Sequence, residues 1–299
     1  MELRDPSVRR PTVAAFFEPR TSSVQYVVAD PATRDCAIID PVLDFDPNSG
    51  ATATHSADAL LAHIRQEGYR LRWIADTHPH ADHFSAAGYL RDKTGAPTAI
   101  GEKVTEVQAL WNRIYNSDVP ADGSQWDRLL SDGERFEIGS LAGEVLLTPG
   151  HTLASVALRI GDAAFVHDTL FMPDGGTARA DFPGGSARVL WRSIQRLLAL
   201  PDDTRLFTGH DYCPGGRAPR WESTVAQQRA GNIHLKKVGN EEEFVRLREA
   251  RDRELPLPRL MLAALQVNIR GGRLPEPEAD GRRHLKIPLD AMPGVPWAE

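Results

Sequence analysis

The sequence predicts a mixed α/β protein, on three observations. Short β-like runs alternate with amphipathic helical stretches along most of the chain. Four polar turns rich in His and Asp, at 77–83, 149–152, 167–168 and 209–212, each follow a β-like run directly. Such turns at strand ends are where an α/β protein is expected to build a site.

The β-like runs open the chain. Val13 to Phe17, Val24 to Val28 and Cys36 to Ile39 read as a starting meander, with Asp30 to Asp35 as a hairpin loop. Residues 42–55 are crowded with turn formers and read as a long surface loop. Ser56 caps a helix whose apolar face is Leu60, Leu61 and Ile64 and whose stop is Gly68. Leu71 to Ala75 is a strand feeding the first polar turn, and Phe84 to Lys93 is a helix ended by Gly95. A helix over Lys103 to Tyr115 precedes an irregular Asn116 to Asp127. Strands follow at Arg135 to Ile138 and Glu144 to Leu147, then a hairpin of Val156 to Ile160 with Ala163 to Val166. Ser186 opens an amphipathic helix carrying Val189, Leu190, Ile194, Leu197 and Leu198. Arg205 to Phe207 is the strand before the last polar turn. Trp221 to Asn232 reads as a helix, and Asn240 with Glu243 caps another to about Arg253. Beyond Pro256 the chain is Pro-rich and has no core pattern of its own. The expected organisation is therefore a catalytic domain over residues 1–255 and an extended tail, 256–299, packed on it.

Composition narrows the function classes. With 299 residues, 41% of them hydrophobic, the chain can fill a sizeable core. A net charge of −6 with scattered Lys and Arg argues against nucleic acid. No apolar run approaches a membrane span, and the charged N-terminal stretch to Pro11 leads into no apolar targeting segment. Two distant cysteines, Cys36 and Cys213, fit a reducing compartment, so a cytoplasmic protein is expected. Any metal must then be held by His and Asp.

The turn Thr77-His78-Pro79-His80-Ala81-Asp82-His83 places three imidazoles and a carboxylate within six residues. These are the nitrogen and oxygen donors of Zn, Fe or Mn sites. The later turns add His151, Asp168 and His210. A scaffold without chemistry is disfavoured, because it would have no need of a complete donor set and this chain carries seven candidate donors.

The HxHxDH stretch with its downstream ligands resembles the signature of the metallo-β-lactamase superfamily. The resemblance implies an αββα sandwich, two sheets packed face to face with helices outside. It becomes more specific after Asp168. Arg179-Ala180-Asp181-Phe182 and His210-Asp211-Tyr212 are similar to segments of the persulfide dioxygenases, although Thr177-Ala178 stands where many members have Cys-Gly. Glyoxalase II, the nearest thioesterase relative, usually has a second aromatic in place of Asp181 and Glu in place of Asp211. The resemblance implies one Fe(II) per chain held by His78, His151 and Asp168, with His80, Asp82, His83 and His210 orienting ligands or lining the pocket. It implies oxidation of glutathione persulfide by O₂ and water to sulfite and glutathione, and a homodimer. Arg179 and Asp211 are expected to pair across the substrate loop and Tyr212 to donate to the persulfide. Arg217 is expected among the basic residues that meet glutathione's carboxylates. The alternative is a dinuclear-zinc, glyoxalase II-like thioester hydrolase, since all donors of a two-metal site are present. Cys213 follows the last metal turn, and His167 is expected to face away from Asp168.

Overall fold

The computed structural model describes residues 10–292. The first residues of the charged N-terminal stretch and the end of the tail lie outside them. Strands β1 (Thr12–Glu18), β2 (Ser23–Ala29) and β3 (Asp35–Ile39) form the expected meander. Every residue of β2 and β3 is buried, because both faces of this sheet are covered. Next come β4 (Val42–Asp46), β5 (Ala51–Ala53), α1 (His55–Glu67), β6 (Arg70–Ala75), β7 (Phe84–Ser85), α2 (Ala87–Thr94), β8 (Thr98–Gly101), α3 (Val104–Tyr115) and β9 (Arg128–Leu130). The second half holds β10 (Arg135–Ile138), β11 (Leu141–Leu147), β12 (Val156–Ile160), β13 (Ala163–His167), α4 (Ala187–Leu198), β14 (Arg205–Thr208), β15 (Glu222–Thr224), α5 (Val225–Gly231), α6 (Glu241–Asp252) and α7 (Met261–Asn268).

Two six-stranded sheets result, ordered β1-β2-β3-β6-β8-β9 and β10-β11-β12-β13-β14-β15. Their facing side chains, among them Val24, Tyr26, Ile39, Leu158, Phe165 and Phe207, form one apolar layer. Helices α1 and α2 cover the first sheet with Leu60, Ile64 and Leu90, and α4 covers the second with Leu190, Ile194 and Leu197. This is the αββα sandwich. Its first sheet is parallel from β3 to β9, and β13 and β14 are parallel in the second. The polar turns after β6, β11, β13 and β14 converge.

Four expectations change. Residues 42–55 are not one loop but a hairpin of β4 and β5, with Val42 and Leu43 buried. The turn formers serve only its tip, where the Asp46 carboxylate accepts from Asn48 N–H at 3.0 Å and Ser49 Oγ at 2.7 Å. Phe84 and Ser85 pair with β4 before α2 begins, so that helix starts at Ala87. Residues 222–224 form the edge strand β15, and the helix that follows is capped by Thr224 rather than starting at Trp221. The tail is not extended throughout. Residues 261–268 form α7, whose Met261, Leu265 and Val267 are buried. A helix enclosed on most sides shows no amphipathic period, and the flanking prolines concealed it further. Among the described residues no helix is long and apolar enough to cross a membrane.

Candidate metal centre

The turn after β6 is held by buried carboxylates. Asp40, at the end of β3, accepts from Thr77 N–H at 2.7 Å, from the Thr77 hydroxyl at 2.9 and 3.0 Å, and from His80 Nε2 at 3.0 Å. Asp76 accepts from Ser85 Oγ at 2.8 and 2.9 Å. Helix α7 closes the turn from outside: Asn268 Nδ2 donates to the carbonyls of His80 and His83 at 2.7 and 2.8 Å, and its Oδ1 accepts from Ser85 N–H. The tail thus shapes the site.

His78, His151 and Asp168 offer donor atoms that all lie within 4.8 Å of one another. Their tautomers follow from their partners. The Thr77 hydroxyl gives its proton to Asp40, so it accepts from His78 Nδ1–H at 3.1 Å and leaves His78 Nε2 unprotonated. His151 Nδ1–H donates to the Arg179 carbonyl at 2.8 Å, which frees its Nε2 in the same way. The two free nitrogens stand 3.9 and 3.6 Å from Asp168 Oδ2. His78 Nε2, His80 Nδ1 and His83 Nε2 are buried without a hydrogen-bond partner. Orphaned buried nitrogens are costly unless something binds them, so this donor set fits a metal ion. Burial first, and the neighbouring imidazoles second, hold His78 far below the usual imidazole range, so it is a neutral donor.

The other predicted residues surround this set. His210 Nδ1 reaches Asp168 Oδ1 at 2.6 Å, and its Nε2 meets Asp82 Oδ2. Burial opposes its charge, but the two carboxylates hold its proton well above the usual range. Burial alone would raise Asp168, whereas His210 pulls it down to about 2. His83 Nδ1 contacts Asp82 at 3.0 Å, and Ser23 Oγ reaches Asp82, His83 and His210. His80 groups with Asp82 and His83, and with Asp40 and Asp76, rather than with the first three donors. Asp82, Asp168 and His210 form a further group of possible ligands.

Local backbone puts these residues in place. His167 has φ of 41°, in the left-handed region, and the pairing of β13 with β14 shifts there, which turns Asp168 inward. His167 is no ligand. Its Nδ1 accepts from Asp168 N–H and its Nε2 meets the hydroxyls of Thr148 and Thr169. Its ring packs behind His78, with centroids 5.0 Å apart. Gly150 has φ of 128°, and a Cβ there would lie 2.3 Å from Leu190 N of α4. Only glycine lets that helix close against the turn carrying His151.

A cavity of about 550 Å³ opens beside the donors, lined by Asp82, His151 and Asp168 and by Phe171, Phe182 and Tyr212. The expected Arg179–Asp211 pair does not form. Arg179 holds Asp181 at 2.7 and 2.8 Å and the carbonyls of Leu255 and Pro256, so it fastens the cavity wall. Asp211 instead binds Arg217, the N–H groups of Cys213 and Arg220, and lies outside the cavity wall. It anchors the turn and touches no substrate space. Arg217 is spent on Asp211 and Asp174 and does not line the cavity either. Tyr212 does line it, exposed and stacked on His210 at 5.7 Å. The Cys213 thiol turns back to the Asp211 carbonyl. Sequence reasoning missed His234, Arg248, Arg251 and Arg259 in this wall. Their positions come from the segment after α5, from α6 and from the tail, and no motif marks them.

The model of the metallo-beta-lactamase superfamily matches residues 19–210. The Agrobacterium fabrum "Beta-lactamase hydrolase-like protein" is 67% identical over 99% of this chain and 68% of its own length. Dictyostelium discoideum "Glyoxylase B2" is 45% identical over 94% of this chain and 97% of its own. The human mitochondrial persulfide dioxygenase ETHE1 is 31% identical over 86% and 87%. Among solved structures, that of ETHE1 from Myxococcus xanthus superposes with a TM-score of 0.70 at 31% identity, covering 88% of this chain and all of that one.

Proposed function

This chain belongs to the metallo-β-lactamase superfamily, and from that premise we propose that it is an iron-dependent persulfide dioxygenase. It takes glutathione persulfide, O₂ and water to glutathione, sulfite and two protons. The observation that carries this reading is the donor set itself: two imidazoles, His78 and His151, and one carboxylate, Asp168, converge with both Nε2 atoms unprotonated. Two nitrogens and one carboxylate suit ferrous iron, which bound there would supply open positions for O₂ and a substrate sulfur and a route for the electrons that the sulfane sulfur gives up to O₂.

The chain's own groups do the rest. His210 holds Asp168 Oδ1, so that Oδ2 is the oxygen presented beside the two nitrogens. Tyr212 has no hydrogen-bond partner among the described residues and faces the cavity, where its hydroxyl donates to the bound persulfide. Phe171 and Phe182 give that space apolar walls. Arg179 acts at one remove: its side chain fixes the wall at 255–256 and its carbonyl sets the His151 tautomer.

A second reading, a dinuclear-zinc thioester hydrolase like glyoxalase II, draws on the further group Asp82, Asp168 and His210 and on the relative named Glyoxylase B2. Oxygen-electrode measurements with glutathione persulfide, beside hydrolysis of S-lactoylglutathione, separate the two. Oxygen uptake matched by sulfite, with about one iron per chain and loss of both in Asp168→Ala, is the expected result. Efficient thioester hydrolysis with no oxygen uptake by iron-loaded protein would overturn it.

A further inference from the structure

From Asp76 to His83 the chain belongs to no strand or helix, so the shape of the first ligand turn depends on the groups that grip its backbone. Asp40 holds the front half, through Thr77 N–H and the His80 ring. The back half is gripped from the far end of the chain by Asn268, the last residue of α7 and only 3% exposed. Its Nδ2 donates to the carbonyls of His80 and His83 at 2.7 and 2.8 Å, and its Oδ1 accepts from Ser85 N–H at 2.8 Å. Both N–H groups and the oxygen of the amide are thus spent on this turn. A flipped amide would set its oxygen against two carbonyls, which fixes the orientation.

The peptide units held in this way flank Asp82, and Asp82 leads to the donors. Its Oδ2 meets His210 Nε2, and His210 Nδ1 reaches Asp168 Oδ1 at 2.6 Å. Asn268 therefore touches no metal-binding atom and acts through the turn. The helix that carries it is itself docked closely. The Tyr115 hydroxyl donates to the Leu262 carbonyl at 3.0 Å, and Gln108 Nε2 donates to the Ile269 carbonyl at 2.9 Å. A Cβ at Gly272, whose φ is 73°, would lie 2.6 Å from the Ser85 carbonyl oxygen, so the backbone beyond α7 rests directly on β7.

We propose that Asn268 is a positioning residue for the metal centre: it holds the back half of the ligand turn in its metal-binding form, so that docking of α7 and metal binding stabilise each other. His80, His83 and Ser85 are all buried. Without the amide, two buried carbonyls and one N–H lose these partners, and they regain others only by moving the segment that carries Asp82. The linkage is reciprocal. Whatever factor of metal affinity the docked helix contributes, bound metal returns as added resistance of the helix to local opening. The inference concerns the metal centre common to both readings above and does not depend on which reaction runs there.

The test uses the full chain and zinc(II), a redox-silent probe that imidazole and carboxylate both bind. Affinity is measured by competition with a chromophoric chelator, and amide hydrogen exchange of α7 is followed with and without saturating zinc. Asn268→Ala should lower zinc affinity about 10- to 100-fold, as expected for a group that orients ligands. In the wild-type chain zinc should slow exchange of the α7 amides by a similar factor, and Asn268→Ala should remove most of that slowing. Tyr115→Phe, which loosens α7 without touching the turn, should speed exchange equally with and without zinc and keep zinc affinity within a few-fold of wild type. A purely structural Asn268 would give a lower urea midpoint of the apoprotein with zinc affinity within twofold of wild type, and that result would overturn the inference. So would a loss of affinity in Tyr115→Phe as large as in Asn268→Ala. If Asn268→Ala does not fold, the wild-type chain decides alone: α7 exchange that zinc leaves unchanged rejects the linkage.

Discussion

Thr77→Val tests whether the hydrogen-bond chain from Asp40 through Thr77 to His78 sets the metal site. The two side chains have nearly the same shape, and Thr77 is fully buried, so packing changes little. What is lost is the hydroxyl that donates to Asp40 and accepts from His78 Nδ1–H at 3.1 Å. Asp40 keeps Thr77 N–H and His80 Nε2 as donors, so its charge stays satisfied. His78 Nδ1–H is left buried and unpaired, at a cost of about 1–3 kcal/mol. The ring escapes part of that cost by moving its proton to Nε2, the nitrogen the metal needs. Metal affinity should therefore fall about 10- to 100-fold, the usual effect of removing a group that orients a ligand. Competition with a chromophoric chelator measures affinity, and urea unfolding of the apoprotein measures the stability change. Thr77→Ser keeps the hydroxyl and should stay within a few-fold of wild type. If Thr77→Val binds metal within twofold of wild type, the Nδ1 contact does not govern the tautomer and the reasoning fails.

Gly150→Ala should destabilise the fold by about 3 kcal/mol or more, because it combines an unfavourable left-sided φ with a backbone clash at Leu190; urea denaturation checks this, and an unchanged midpoint would refute the close approach of α4. His234 is expected to give a pH signature. Its folded-state pKa, about 4, is below the ordinary 6.5, so between these values the unfolded chain binds the extra proton. Stability is thus full above pH 6.5 and falls as pH drops towards 4, by up to roughly 3 kcal/mol at about 1.4 kcal/mol per unit. The charges facing the ring are Arg248 and Arg251 from α6 and Lys237 from its own segment. Comparing urea midpoints of wild type and His234→Gln from pH 4.5 to 7.5 isolates this effect, and parallel curves would refute it.

What the sequence made legible is what period and motif encode. The meander at 13–39, the helix opened by Ser186 and the four ligand turns are local patterns, and the structure forms them where they were expected. The failures have a common physical origin. Strands β4 and β5 were hidden because their turn formers belong to the tip between them, and α7 because a buried helix has no polar face to set its period. Side-chain pairing was the least legible. Arg179 and Asp211 carry charges that could attract each other, but nearer partners, Asp181 for one and Arg217 for the other, satisfy them first. Pairing depends on distances between segments far apart in the chain, which no spacing rule reports. His234 carried no signal at all, since its role comes from Thr177 and Gly176 packing on it across more than fifty residues.

That division by origin has a functional consequence. Turns after strands of the sandwich supply the candidate metal donors, whereas α6 and the segment at 255–260 supply much of the wall of the adjoining cavity. One residue joins them. The Arg179 guanidinium holds the carbonyls of Leu255 and Pro256, while its own carbonyl accepts the proton of His151 Nδ1. A shift of the wall is therefore felt, through this one residue, at the carbonyl that fixes the His151 tautomer. Under the proposed function, substrate recognition and metal affinity should therefore be coupled. Changes on the wall that alter substrate preference should alter metal retention too, most strongly where they loosen Arg179 and least at Arg251, whose guanidinium touches neither carbonyl.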